Sequence, residues 1–256
     1  MSWVTSIWSM IAAACLTLAV VYGLVWWQRR EARAYLVFAV SALGTAGFAG
    51  CELWMMLAQT PQDFGRALRW LHLPVWVLIV SIVGFVRLYL RAGRRWLAWT
   101  VCGLRTLSLA LNFLSPLNLN YQAITTLRQV SLFGEPVAIA QGVMNPWMLV
   151  GQLSLLLWVL FIADATITVW RRGERRLALV GGGIVFFALT GSIQTSLSLR
   201  GVIPEPMMGS LFYTSVMVVM GLELSRDLLR ATQLAGELQE TEQRMALATE
   251  AAKLVC

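Results

Sequence analysis

The stretch PMMGSLFYTSVMVVMGLELSRDLLRATQLAGELQETEQRMALATEAA, residues 206–252, sets the architecture of this chain. Its first part is apolar enough to cross a bilayer, and its second part is charged, with no proline inside it. The pattern predicts a membrane span over 206–228 that continues directly into a helix over 222–250. A span of this kind is suited to passing a change from one side of a membrane to the other.

The rest of the chain is also strongly apolar. Of 256 residues, 58% are hydrophobic and 13% are charged, which excludes an ordinary soluble domain. A helix needs about 20 mostly apolar residues to cross a bilayer. Six further stretches meet that requirement: 3–27, 34–58, 68–91, 96–116, 146–170 and 176–199. We therefore expect an all-α membrane protein in which residues 1–228 form a seven-transmembrane-helix bundle.

The arginine residues predict how this bundle is oriented. The turns after spans one, three and five contain ten arginines: Arg29, Arg30, Arg33, Arg91, Arg94, Arg95, Arg171, Arg172, Arg175 and Arg176. The opposite segments contain four: Arg66, Arg69, Arg128 and Arg200. Because positive residues accumulate on the cytoplasmic side, the amino terminus is expected outside and the carboxyl terminus in the cytoplasm. The net charge of +7 follows from this orientation, and no nucleic-acid partner is expected.

The segment 115–146 is expected to form a lid on the outer side of the bundle. It contains AITTLRQVSLF (123–133), which is rich in β-branched residues, and PVAIA (136–140). Gly134 and Glu135 lie between these two runs. The pattern predicts a small β-hairpin with a glycine-containing turn.

The charged helix that leaves the last span carries an alternating three–four spacing. The seam consists of Leu224, Ala231, Leu234, Leu238, Thr241, Met245 and Ala248, with polar Asp227 in one of its positions. This spacing is typical of a coiled coil. A helix of about 30 residues is roughly 45 Å long and is not expected to be stable alone. The seam therefore predicts a homodimer through the carboxyl-terminal helix.

Ionisable and amide residues inside the spans are candidate ligand-binding residues, because they are costly to place in a membrane. Arg105 is expected near the middle of span four. The full candidate set is Arg105, Asn112, Glu52, His72, Gln152 and Gln194. Together they predict a polar pocket beneath the lid. The alternative is that Arg105 pairs with one carboxylate or with backbone carbonyls and fixes helix packing.

A second group of charged residues is predicted nearer the cytoplasm. It consists of Arg87 on span three, Asp164 on span five and Glu223 at the end of span seven. Opposite charges at similar depth predict an ion pair. Since Glu223 is continuous with the exit helix, a change of partner there would couple the bundle to that helix.

Several classes of protein are excluded or disfavoured by residue type. A retinal protein needs a lysine within the bundle, and the single lysine is Lys253, beyond the spans. Bis-histidine haem ligation is impossible with one histidine. The four cysteines show no metal-type spacing, and no metal site is expected. No catalytic motif is present, so no catalytic residue and no cofactor are assigned to this chain.

The segment ELSRDLLRATQLAGELQETEQRMALATEAAKL (223–254) resembles the membrane-exit helix of bacterial sensor histidine kinases that contain PAS domains. The runs LRQVSLFGEPVAIAQGVMNPWMLVGQLSLLL (127–157) and VWRRGERRLALVGGG (169–183) are similar to the seven-span sensory region of that group. The resemblance covers most of residues 115–256. It implies that residues 243–256 begin a PAS domain, which is incomplete here.

The resemblance implies a transmembrane sensory module of a two-component system, located in a bacterial inner membrane. ATP and magnesium would be used by a kinase region downstream, which would act on a response regulator. Two alternatives remain open. In the first, the chain is a small membrane transporter. In the second, it is a membrane enzyme that acts on lipid or quinone. In both, the polar residues of the spans carry the function.

Overall fold

The computed structural model describes the backbone of residues 2–255. It describes side chains up to Arg230 and, beyond that point, those of Thr232, Gln233, Glu237 and Thr241. The elements run in the order α1 (Trp3–Gln28), α2 (Arg33–Met56), α3 (Pro61–Leu88), α4 (Arg95–Leu114), β1 (Tyr121–Leu132), β2 (Glu135–Met144), α5 (Met148–Arg171), α6 (Arg175–Leu199) and α7 (Gly209–Val255).

Within the described chain, six helices, α1 to α6, are long and apolar enough to cross a membrane. This is compatible with a multi-pass membrane protein. The predicted seventh span forms the start of α7, but it does not meet the same criterion. Glu223, Arg226 and Asp227 follow soon after the helix begins at Gly209, so the apolar stretch is short. The prediction of a mostly helical chain with several helices that could span a membrane is confirmed, and that of seven spans is not.

Helix α3 begins seven residues before the predicted span, and its first turn explains why. Thr60 is the N-cap: its side chain accepts a hydrogen bond from Asp63 N at 3.2 Å and donates one to the Asp63 carboxylate at 2.7 Å. Pro61 occupies the first helical position, where its missing N–H costs nothing. A capping motif, and not hydropathy, therefore sets this boundary.

The predicted hairpin is confirmed. Strands β1 and β2 are antiparallel, and Leu132 pairs with Glu135 across a two-residue turn. Phe133 and Gly134 both have positive φ, 52° and 82°. Positive φ at both central residues is the geometry of the tight turns whose twist matches that of the flanking strands.

The hairpin lies against one end of the bundle, which we call the hairpin end. Residues 137–140 of β2 are buried, whereas most of β1 is exposed. The Tyr121 hydroxyl donates to Leu199 O at 2.6 Å, and burial raises the pKa of Tyr121 to about 12, so the phenol keeps its proton. At the turn, the Glu135 carboxylate accepts from Trp3 N at 2.6 Å, which ties the hairpin to the start of α1.

The turns after α3 and α5 lie together at the opposite end, which we call the arginine end. Arg172 Nη1 donates to Arg91 O at 3.2 Å, and Arg94 Nε lies 3.4 Å from Asp164 Oδ1. Two of the predicted arginine clusters are therefore brought into contact.

The chain divides into two compact units, Met1–Val219 and Met220–Cys256. The first corresponds to most of the predicted sensory domain over 1–228. The second continues α7 as helix to Val255, so residues 243–255, where a PAS domain was expected to begin, are helical. Of the predicted seam, Leu224 is buried and Thr241 is exposed. The side chains of Ala231, Leu234, Leu238, Met245 and Ala248 lie outside those described.

Candidate ligand cavity in the helix bundle

Three of the six predicted binding residues, His72, Arg105 and Gln152, line one cavity in the first unit. The space between protein atoms there is about 620 Å³, part of which is open to solvent. Five helices of the bundle, the segment before β1 and the start of α7 contribute to its wall. The polar lining residues are His72, Arg105, Asn120, Gln152, Ser192, Thr195, Ser196 and Tyr213. The apolar ones are Phe48, Leu71, Val75, Leu119, Met148, Leu155, Leu199 and Met207.

Arg105 is the charged residue of this cavity. It lies in the middle of α4 and is 5% exposed. Within the described part of the chain, its guanidinium has no hydrogen bond and no ion pair, and no aspartate or glutamate lines the cavity with it. The alternative, in which Arg105 pairs with a carboxylate or with backbone carbonyls, therefore finds no such partner among the described residues.

His72 faces the same cavity from α3 and is 6% exposed. Its Nδ1 lies 3.0 Å from Leu68 O. Because a carbonyl oxygen can only accept, Nδ1 carries the proton in this contact. In the neutral imidazole, Nε2 is then a hydrogen-bond acceptor. The cavity wall thus includes a cationic donor, the Arg105 guanidinium, and a neutral acceptor, His72 Nε2.

Asn112 does not line the cavity; it holds the segment that does. Its Nδ2 donates to Arg69 O at 2.9 Å, and its Oδ1 accepts from Leu119 N at 3.0 Å. Asn118, which the sequence analysis did not single out, accepts from the backbone N–H groups of Asn120 and Tyr121 at 2.9 and 2.8 Å. These bonds position Leu119 and Asn120 in the wall.

The two glutamines differ in role. Gln152 lines the cavity, and its Oε1 accepts a hydrogen bond from Arg200 Nη2. Gln194 bonds instead to the connection between α6 and α7: its Nε2 donates to Pro206 O at 2.8 Å, and its Oε1 accepts from Met208 N at 3.2 Å. It therefore holds the backbone that leads into α7.

Glu52 lies beside a separate, smaller cavity under β2, not in the cavity of Arg105. It is fully buried, and one carboxylate oxygen accepts from Trp8 Nε1 at 3.0 Å, from Ser210 N at 3.2 Å and from the Ser210 hydroxyl. Ser210 is in the first turn of α7, whose N–H groups have no partner within the helix. Glu52 thus caps α7 from α2 and joins both to α1.

Two of the predicted coupling residues lie around one cleft at the arginine end. Arg87 Nη1 donates to Gly93 O at 2.6 Å, while Asp164 pairs with Arg94. Both line a cleft of about 900 Å³ whose other charged residues are arginines. Glu223 belongs to the second unit, where Arg226 Nη1 lies 4.0 Å from its carboxylate.

In the described part of the chain, no three histidine, cysteine, aspartate or glutamate residues are grouped as metal ligands. Cys15, Cys51 and Cys102 are free thiols. In comparisons with known proteins, no family model matches the chain and no curated protein is significantly similar to it in sequence.

Proposed function

We propose that this chain is the transmembrane sensory module of a receptor, and that α7 passes the signal from the bundle to a paired cytoplasmic helix. The supporting observation is that Tyr213 lines the Arg105 cavity and lies on a single helix of 47 residues. The same element therefore carries a wall of the cavity and the charged heptad segment.

In this proposal α7 is the seventh span, the hairpin end faces outward and the arginine end faces the cytoplasm. The excess of arginine in the turns supports this orientation. The bilayer is then a partner along the whole first unit. Exposed tryptophans such as Trp27, Trp96, Trp99 and Trp170 near the arginine end suit the membrane interface.

Signalling requires that a ligand bind two arrangements of α7 with different affinity. Tyr213 provides a contact through which an occupied cavity can favour one arrangement. Glu52 and Gln194, which bond to the start of α7 and to the connection before it, limit how that end of the helix can move. A rotation, tilt or sliding movement would bias a downstream domain between two states.

The resemblance to PAS-containing sensor histidine kinases supports placing this module in a two-component system. In that setting the helix over 222–250 pairs with a second copy, and downstream PAS and ATP-dependent kinase domains act on a response regulator. No catalytic step is proposed for residues 1–256.

Cysteine cross-linking along the exit helix in native membranes tests the proposal. With the natural cysteines replaced, Leu234→Cys and Leu238→Cys on the seam should form disulfide-linked dimers, while Glu237→Cys and Glu242→Cys should form few. The yield at the seam should change when the cavity is altered by Tyr213→Ala. Uniform yields at all four positions would contradict a paired helix. Ligand-dependent flux in liposomes would instead support the transporter alternative.

A further inference from the structure

The Arg105 cavity contains an uncompensated positive charge. Arg105 is 5% exposed in the middle of α4, and no described carboxylate or carbonyl is bonded to its guanidinium. An unpaired buried charge is unfavourable, since it loses its hydration without gaining a counter-charge. The fold nevertheless holds this side chain against an open space. The missing counter-charge is therefore expected from a molecule that enters the cavity.

We propose that the cavity binds a carboxylate with a compact apolar body, and that Arg105 is the residue that binds its head group. The planar guanidinium presents two parallel N–H groups to a carboxylate, which is the geometry of strong charge-assisted pairs. A single lining cation neutralises one negative charge, whereas a phosphate monoester carries nearly two at neutral pH. The charge of the described wall therefore selects a monoanion.

The remaining wall suits the rest of such a molecule. Gln152 and Tyr213 offer polar groups beside the head, and Phe48, Leu155 and Met207 provide apolar surface for the body. A few polar groups on a mostly apolar wall are typical of sites that bind small molecules. Binding itself is independent of the proposed function. Its effect on the exit helix rests on that function, through Tyr213.

Ligand binding is measured on the purified full chain in nanodiscs of phosphatidylcholine, by calorimetry and by thermal shift. The probes are hexanoate, octanoate and benzoate, with octanol and octylamine as neutral and cationic controls. At least one carboxylate should bind and raise the melting temperature. Arg105→Gln should weaken that binding by at least roughly thirtyfold, because one partner of a buried charge pair is lost. Arg128→Gln, which removes an exposed arginine of the hairpin, should leave it unchanged.

Three outcomes would overturn the inference: none of the three carboxylates binds, octanol binds as well as octanoate, or Arg105→Gln binds with wild-type affinity. Arg105→Lys keeps the charge and should fold and bind with intermediate affinity. It therefore tests the inference if Arg105→Gln does not fold. Nanodiscs containing oleic acid or phosphatidylglycerol then identify the source. If either lipid competes with octanoate for the cavity, the natural ligand is an acid that arrives from the membrane. If neither competes, the natural ligand is a solute.

A spin label on Gln233→Cys, on the exposed face of the exit helix, separates the two proposals. Octanoate binding with an unchanged spectrum would refute signalling through α7 and leave the carboxylate site intact. A change in the spectrum that is caused by a molecule other than a carboxylate, and that persists in Arg105→Gln, would support signalling through α7 and refute the carboxylate site.

A second site is indicated independently by charge and shape at the arginine end. The cleft there is lined by six arginines and Asp164, a net charge of +5. It adjoins an apolar groove between α3 and α4 of about 1090 Å³, and Arg87 and Arg95 line both. The groove continues along the helices past Trp99 to Trp76.

We infer that cleft and groove together bind one anionic phospholipid, with its phosphate on the arginines and an acyl chain along the groove. The charge complementarity favours this occupant over the helix of a second copy, which would bring no phosphate to the cleft. Basic pockets between membrane helices on the cytoplasmic side are suited to such head groups.

Native mass spectrometry after purification in mild detergent tests the lipid site. The wild type should retain phosphatidylglycerol in preference to phosphatidylcholine. Arg95→Gln with Arg171→Gln should reduce retention about tenfold, whereas Arg29→Gln with Arg33→Gln removes the same charge from another turn and should retain it. Equal loss in both double variants, or equal retention of both lipids by the wild type, would refute a specific site.

Discussion

Replacing Glu52 by alanine removes the acceptor that joins three helices at the hairpin end. In the wild type this buried carboxylate accepts from Trp8 Nε1 in α1 and from Ser210 N at the start of α7, at 3.0 and 3.2 Å. Both donors are N–H groups that have no freedom to turn toward another acceptor. The Ser210 hydroxyl can rotate toward another acceptor, so its lost bond adds little.

The expected loss follows from the two stranded donors. A buried donor that loses its partner costs about 1–3 kcal/mol. Glu52→Ala should therefore lower the free energy of unfolding by about 2–6 kcal/mol. For a chain of this size, 1 kcal/mol corresponds to roughly 2–4 °C in melting temperature. The variant should melt at least about 4 °C below the wild type.

Glu52→Gln is the matched control, because its amide oxygen can accept from the same two donors. Only the interaction of a negative charge with the start of a helix is lost, about 1 kcal/mol or less. Unfolding is followed by tryptophan fluorescence on heating, in detergent and in nanodiscs. If both variants melt within about 2 °C of the wild type, the cap does not hold α7. If both fall equally, the charge matters and the bond network does not.

Three further predictions concern the hairpin. Phe133→Asn should stabilise the turn by about 0.5–1 kcal/mol, since asparagine tolerates the positive φ that phenylalanine adopts here, and slower amide hydrogen exchange in the strands would show it. Gly142→Ala should disrupt the strand pair, because its Cβ would lie 2.1 Å from Ala123 O; Gly103→Ala, with open space around its Cβ, should leave the melting temperature unchanged or higher. The Ser2 hydroxyl and backbone N–H groups of α1 lower the pKa of Glu135 in the folded protein. The contribution of this carboxylate to stability is therefore complete above about pH 4.3, the usual glutamate value, and is lost as the pH falls through the lower folded pKa. Glu135→Gln should melt below the wild type at pH 7 but not at pH 3.

The elements that hydropathy and turn chemistry determine could be predicted from the sequence. Spans α1, α2, α4, α5 and α6 lie within two residues of their predicted limits, and the hairpin turns at the predicted glycine. Helix α3 begins earlier than hydropathy predicts, because its first turns are amphipathic and the Thr60 cap fixes its start. The predicted continuity of the last apolar stretch with the exit helix agrees with the backbone, in which α7 is one element.

The candidate site was predicted in part, for a physical reason. A polar residue in a membrane span gives the same sequence signal whether it binds a ligand or satisfies the backbone of another helix. Arg105 and His72 line a cavity, whereas Asn112 and Gln194 are bonded to main-chain groups of distant segments. Those partners are N–H and C=O groups, which every residue has, so no sequence pattern distinguishes them.

Under the proposed function, the continuity of α7 gives a functional meaning to the number of residues between the cavity and the seam. Each residue added to an α-helix turns everything after it by 100° and advances it by 1.5 Å. One deletion between Gly221 and Leu234 would therefore redirect the seam without altering a single contact of the cavity. Deleting or inserting seven residues returns the seam to within about 20° of its original direction around the helix. Under the proposed function, any output region whose entry helix begins in the same phase can be joined to this bundle without changing a residue of the cavity.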